Sequence, residues 1–180
     1  MRKRNNQKHA YQGNREDSHP HGGTPDWLID ALSEAGGVLF DPCPNNPPFD
    51  GLKIEWPRDQ LTFVNPPYTR GELVKWVEKA FKHPGPVVML IPSYTDTKYF
   101  HEFIFGHAHV LFFKGRLKFK GYAARASFPS CLVIYEGEGD SVRSLIEGHS
   151  AFTNTLASTD LLPPSRPPTQ ASLFDDFGGV

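Results

Sequence analysis

Cysteine is scarce in this 180-residue chain: Cys43 and Cys131 are the only two. They stand far apart with no CxxC pairing, so neither a disulfide framework nor a four-cysteine zinc site is encoded. No apolar run reaches the ~18–20 residues that span a bilayer, and the basic start is not followed by the apolar core of a signal peptide. Internal repeats are missing. Net charge is nearly missing as well, formally -1, so bulk electrostatics do not mark a nucleic-acid binder. Together these absences favour a reducing, cytosolic setting, with no membrane partner and no metal.

What is present is segregated. Arg2, Lys3, Arg4, Lys8 and Arg15 fill an acid-free opening stretch, and Lys114, Arg116, Lys118, Lys120 and Arg125 fill another between Phe103 and Tyr135. Attraction to phosphate would come from such local clusters. The 17 prolines and 16 glycines gather near the two ends and between Asp41 and Pro67, which suggests ordered elements between flexible ends. The expected organisation is a flexible basic segment at 1–22, one folded domain at 23–150, and a flexible Pro-rich tail at 151–180.

Thr24-Pro25-Asp26 reads as a helix start with Thr24 as N-cap and Pro25 in the first helical position. Trp27, Leu28, Ala31, Leu32 and Ala35 follow at helical spacing, and Gly36-Gly37 ends the helix. Val38 to Phe40 predicts a short buried strand that delivers Asp41-Pro42 to its C-terminal end, where α/β sheets bind ligands. Leu61 to Val64 predicts a second strand, Gly71 to Lys82 a helix, Val87 to Ile91 a third strand, and Thr97 to Phe105 another helix. Val110 to Phe113 and Cys131 to Tyr135 predict two further strands, with an extended segment at Arg116 to Phe119. This alternation makes a mainly parallel sheet with helices on both faces the economical α/β fold.

The second strand runs straight into Asn65-Pro66-Pro67-Tyr68. This segment resembles the catalytic loop of class I amino-methyltransferases, in which Asp, Asn or Ser precedes Pro-Pro and an aromatic. The residue types suit that chemistry. An exocyclic amine has its lone pair delocalised into the ring, so a catalyst should hold its N–H groups on fixed acceptors and aim the nitrogen at a methyl donor. The Asn65 side-chain oxygen and the Pro66 carbonyl can be those acceptors, Pro66 and Pro67 stiffen the backbone, and Tyr68 can stack on a base turned out of a duplex.

Several segments in order extend the likeness: Thr24-Pro25, Asp41-Pro42, Asp50-Gly51-Leu52 with Trp56, the Asn-Pro-Pro-Tyr loop, Pro92 with Asp96-Thr97, Gly115 to Phe119, and Phe128-Pro129-Ser130. From residue 24 to 135 the chain resembles the compact phage-type, Dam-like DNA N6-adenine methyltransferases. The resemblance implies a Rossmann-like class I fold with a shortened cofactor half, S-adenosylmethionine as methyl donor, double-stranded DNA as acceptor, and the cytoplasm of a bacterial cell as setting. It implies that Thr24, Pro25, Asp41, Pro42 and Asn65 hold the cofactor. Asp50 is the candidate for the adenosine-binding acid, with Asp59 as alternative; no glycine-rich FxGxG loop follows Asp41.

Cations interleave with aromatics from Phe112 to Lys120, the composition of a surface that grips phosphate. Lys114, Arg116, Lys118, Lys120 and Arg125 are therefore the candidate DNA contacts, and an amphipathic segment with a solvated basic face is the plain alternative. Other acceptors for the same loop are cytosine N4, RNA adenine or a protein glutamine, and a non-catalytic DNA-binding protein of the same fold is a rival of another class. Behind the Pro-rich linker, Gln170-Ala171-Ser172-Leu173-Phe174 resembles the peptide by which bacterial and phage DNA enzymes dock on the β sliding clamp. Gln170, Leu173 and Phe174 would carry that contact, unless the apolar tail packs on its own domain.

Overall fold

The computed structural model describes residues 22–37, 39–44, 48–69, 71–137, 142–152 and 156–158. The element order is α1 (Asp26–Gly36), β1 (Thr62–Val64), α2 (Glu72–Lys82), β2 (Val87–Pro92), a π-helical turn (Phe100–Ile104), β3 (His109–Phe113), β4 (Ser130–Tyr135), α3 (Val142–Gly148) and β5 (Leu156–Ser158). The strands form one sheet in the order β1-β2-β4-β3-β5.

Side chains alternate across a strand, and here both faces are covered. Val64, Val87, Met89, Ile91, Cys131 and Val133 pack beneath α2 and the π-helical turn. Phe63, Val88, Leu90, Leu132 and Ile134 pack against α1 and α3 on the other side. The result is a mixed α/β fold in three layers. α2 starts at Gly71, whose φ of 89° is a left-handed backbone that favours glycine. Its apolar stripe of Leu73, Trp76, Val77 and Ala80 is buried.

The sheet is not mainly parallel. Among the strands only β1 and β2 pair in parallel; β2 with β4, β3 with β4, and β3 with β5 are all antiparallel. The reason lies in the connection across residues 114–129, which contains no helix. A chain that returns without a crossover lays the next strand down antiparallel.

Other expectations are corrected locally. The strand expected at Val38 to Phe40 shrinks to one parallel bridge between Phe40 and Thr62, with Val38 outside the described residues. The helix expected from Thr97 to Phe105 is helical over 98–104, with Phe100–Ile104 in π rather than α geometry. Pro25, not Thr24, takes the cap position of α1, and no side chain caps that helix. Arg116 to Phe119, expected as an extended segment, lies in neither helix nor strand, and its Leu117 and Phe119 are buried while Arg116 and Lys118 are exposed. α3 and β5 lie where the apolar periodicity fades, and β5 carries the sheet past residue 150.

Candidate active site

β1 is a buried Thr-Phe-Val strand, and its next residue is Asn65. Asn65 is only 5% exposed, so its amide must find partners inside the protein. Its Nδ2 donates to Thr24 Oγ1 at 3.1 Å, and its Oδ1 accepts the Tyr68 hydroxyl at 2.7 Å. The same hydroxyl lies 2.9 Å from the Leu90 carbonyl oxygen. A phenol has one proton, so it serves one of these two acceptors at a time. Thr24 thus spends its hydroxyl on the Asn-Pro-Pro-Tyr loop instead of capping α1.

Burial holds the Tyr68 phenol well above its ordinary pKa, with the Cys131 and Cys43 thiols and the Tyr99 phenol nearby adding in the same direction. It therefore stays a donor. Its ring meets Phe128 edge-on at 5.6 Å and Phe119 at 6.2 Å, and those two rings lie 6.1 Å apart. Pro66 is buried and Pro67 half-buried. Among the described residues no backbone N–H donates to the Pro66 carbonyl, which leaves that oxygen available as an acceptor.

Asp41 follows Phe40, which hydrogen-bonds on either side of Thr62 along one edge of β1: its N–H donates to the Leu61 carbonyl, and its carbonyl accepts the Phe63 N–H. Asp41 and Asn65 consequently stand at the same C-terminal edge of neighbouring segments. The Asp41 carboxylate is exposed and accepts the Cys43 N–H at 2.8 Å. Burial, with Asp41 alongside, pushes the Cys43 thiol up to about 12, so it packs as a neutral group. Pro42 touches Gly51: a Cβ on Gly51 would collide with the Pro42 carbonyl oxygen and lie 2.7 Å from the Trp76 ring. Asp41-Pro42 and Asp50-Gly51 are therefore adjacent. The Leu52 N–H, then Lys53, hold the exposed Asp50 carboxylate below its usual range. Asp59, the alternative acid, is exposed and lies farther along the loop, beyond Trp56.

This loop is fastened to α2 by contacts that have no sequence motif. Lys79 Nζ donates to the Leu52 and Ile54 carbonyls at 2.9 and 2.6 Å and sits 5.0 Å over the Trp56 ring. Trp56 donates to the Gly51 carbonyl at 2.9 Å and stacks on Trp76. Helical spacing alone puts Lys79 on the polar face of α2, and a lone lysine there gives no warning of such a role.

The basic candidates divide. Lys114, Arg116 and Lys118 are exposed and form no ion pair among the described residues. Lys120 is paired with Asp26 at 2.8 Å, and Arg125 donates to the Arg116 carbonyl at 2.7 Å. The backbone bridge between Gly23 and Lys120 brings this segment beside Thr24. Gln170, Leu173 and Phe174 lie outside the described residues, as do the N-terminal cations.

Among the described residues no group of three or more His, Cys, Asp or Glu side chains could hold a metal ion, and no helix is long and apolar enough to cross a membrane.

A buried amide and a stiff Pro-Pro turn thus stand at a strand end, with two exposed acids on the neighbouring segments, in a mixed α/β fold. The model of the DNA N-6-adenine-methyltransferase (Dam) family matches residues 46–140, more than half of the chain, and the chain belongs to that family. Membership supports DNA adenine N6-methyltransferase activity in general. No curated protein and no solved structure matches the chain significantly. The matched span holds Asp50, the Asn-Pro-Pro-Tyr loop and the basic segment, whereas Thr24 and Asp41 precede it.

Proposed function

We propose that this chain transfers a methyl group from S-adenosylmethionine to N6 of an adenine flipped out of double-stranded DNA, and that Asn65, Pro66, Pro67 and Tyr68 form the catalytic loop. The observation that carries this is the buried Asn65 amide, fixed between Thr24 and Tyr68 at the end of β1 next to the Pro66 carbonyl. When the Tyr68 proton turns to the Leu90 carbonyl, Asn65 Oδ1 can accept one N–H of the target amine and Pro66 the other. The nitrogen lone pair then points outward, along the line of attack. Held there, the donor would supply the methyl group from its sulfonium, while Asn65 and Pro66 keep the amine oriented and its displaced proton leaves to solvent. The cofactor supplies an activated methyl group, so the residues need only orient, desolvate and receive N–H groups.

The residues present fit that cofactor. Asp41 and Asp50 offer exposed carboxylates on touching segments, Asp41 stands at the same edge as Asn65, and Thr24 meets the Asn65 amide there. Acids in this place suit the amino group and the ribose hydroxyls of the donor. In this reading the fold is a class I methyltransferase of Rossmann-like type with a shortened cofactor half, its domain beginning near residue 23 and its Pro-rich tail following β5. Lys114, Arg116 and Lys118 hold phosphates directly, Arg125 braces their segment, and Lys120 joins the grip once released from Asp26. Gln170, Leu173 and Phe174 dock on a sliding clamp; a peptide of residues 168–180 should bind purified clamp, and Leu173→Ala with Phe174→Ala should abolish this.

Asn65→Ala tests the catalytic assignment. Turnover on DNA, read as 6-methyladenine by mass analysis of nucleosides, should fall by roughly 10²-fold or more, as when one preorganised polar contact is removed. S-adenosylhomocysteine affinity should change less. Wild-type turnover would remove the loop from the active site, and 4-methylcytosine, methylated RNA or methylglutamine in place of 6-methyladenine would reassign the acceptor.

A further inference from the structure

We propose that Tyr94 is a second base-stacking residue, standing at the mouth of the target pocket and meeting the adenine as it leaves the duplex. The proposal rests on the reading of Asn65 to Tyr68 as the catalytic loop. Three observations carry it. First, Tyr94 is 43% exposed and yet its backbone is pinned. Its N–H donates to the Pro92 carbonyl at 2.9 Å, and its own carbonyl accepts the Thr97 N–H at 3.1 Å and the Thr97 hydroxyl at 2.6 Å. The Ser93 N–H beside it donates to Pro129 at 2.9 Å. An aromatic held toward water on a rigid turn presents a stacking face at little ordering cost.

Second, the ring belongs to the catalytic loop's own aromatic group. Tyr94 meets Phe128 at 6.4 Å, and Phe128 meets Tyr68 at 5.6 Å. Tyr68 already has Phe119 and Phe128 edge-on and its hydroxyl turned inward, whereas Tyr94 is the member of this group that stands out into solvent. Third, the register sets its height. Val64 pairs with Met89, and β2 continues three residues farther, to Pro92. Asn65 is thus level with Leu90, and at the usual rise along a strand the end of β2, where the Tyr94 turn begins, lies roughly 7 Å beyond Asn65 in the strand direction. A base whose amine reaches Asn65 therefore passes Tyr94 nearer its sugar. Phe119, buried among the exposed Lys114, Arg116 and Lys118, links the same aromatic group to the surface that would hold the flanking phosphates.

Stacking on Tyr94 would offset part of the unstacking cost of flipping, a cost that is lowest when the adenine is already mismatched. The test compares Tyr94→Ala, Tyr94→Phe and Asn65→Ala on random-sequence duplexes and on the same DNA carrying A·C mismatches. Tyr94→Ala should lower kcat/KM on paired DNA by about 10- to 100-fold, the range set by removing one base–aromatic stack. The deficit should shrink on mismatched DNA, and Tyr94→Phe should restore both. Equal losses on the two DNAs, no loss with Ala, or no rescue by Phe would each overturn the proposal. If Asn65→Ala lowers turnover as expected while Tyr94→Ala changes nothing, only the Tyr94 assignment fails; if Asn65→Ala turns over at the wild-type rate, the catalytic loop itself is wrong.

Discussion

The two halves of this candidate site reach one sheet edge by different means. The half that carries the Asn-Pro-Pro-Tyr loop, from Thr62 to Tyr135, stands on β-ladders, with six residues of β2 paired to six of β4. Among the described residues, the half that presents Asp41 and Asp50 has only α1 and the isolated bridges at Gly23 and Phe40 as regular structure. Its loop is held by individual contacts: the Gly51–Pro42 approach, the Trp56 hydrogen bond and the two bonds from Lys79. A ladder spreads its cohesion over many equivalent bonds. A loop fastened at a few points concentrates it, so single substitutions should separate the two regions.

The largest effect should come from Gly51→Ala. The added methyl meets the Pro42 carbonyl and the Trp76 ring, neither of which can move without shifting a strand end or the helix. We expect a loss of about 1–3 kcal/mol, the usual cost of overpacking, read by urea denaturation, together with weaker S-adenosylhomocysteine binding. Unchanged stability and affinity would show that this loop yields readily and would blunt the contrast. Lys79→Met comes next. It keeps the aliphatic stem over Trp56 but removes two donors, and we expect about 1–2 kcal/mol at this partly solvated site. Hydrogen exchange should quicken from Gly51 to Trp56 while the β2 and β4 amides exchange as before. Parallel acceleration in both places would mean that the loop and the ladders open as one unit.

The smallest effect on stability should be that of Lys114→Gln with Lys118→Gln. Both side chains are exposed and make no ion pair among the described residues, so stability should stay within about 0.5 kcal/mol. DNA binding should weaken on all sequences, and the salt slope should flatten by about 0.9 for each phosphate no longer neutralised. An unaltered slope would make this segment a solvated face. Lys120 is left out because its charge is already met by Asp26.

Local chemistry was legible in the sequence where the chain itself imposes it. Pro66 and Pro67 end β1 because proline cannot donate to a ladder, and the 3.6-residue spacing from Leu73 to Ala80 is a helix with one buried stripe. Strand direction was not legible. Cys131 to Tyr135 is buried on both faces, and a strand covered on both sides shows a continuous apolar run whichever way it points. The role of Thr24 was half legible. Its position before a helix invites a capping reading, but the hydroxyl goes to Asn65, 41 residues away, a choice made by tertiary packing. Lys79 gave no signal because it acts through backbone carbonyls, which every residue carries. Tyr94 sits in a turn with no periodicity of its own, and only its neighbours Phe128 and Pro129 in space give it meaning.

The position of β4 between β2 and β3 has a consequence for how the molecule is made. β1, α2 and β2 are neighbours in sequence and can form early as one βαβ unit, but β2 keeps an unpaired edge until residues 130–135 arrive to fill it. β3, although made earlier than β4, pairs in the finished sheet with β4 and β5 and not with β2. At ribosomal speeds of about 5–20 residues per second, the stretch from Pro92 to Tyr135 leaves that apolar edge bare for a few seconds of synthesis. An open strand edge is a template for wrong partners, so this protein's yield in the cell should depend on how quickly translation proceeds from β2 to β4.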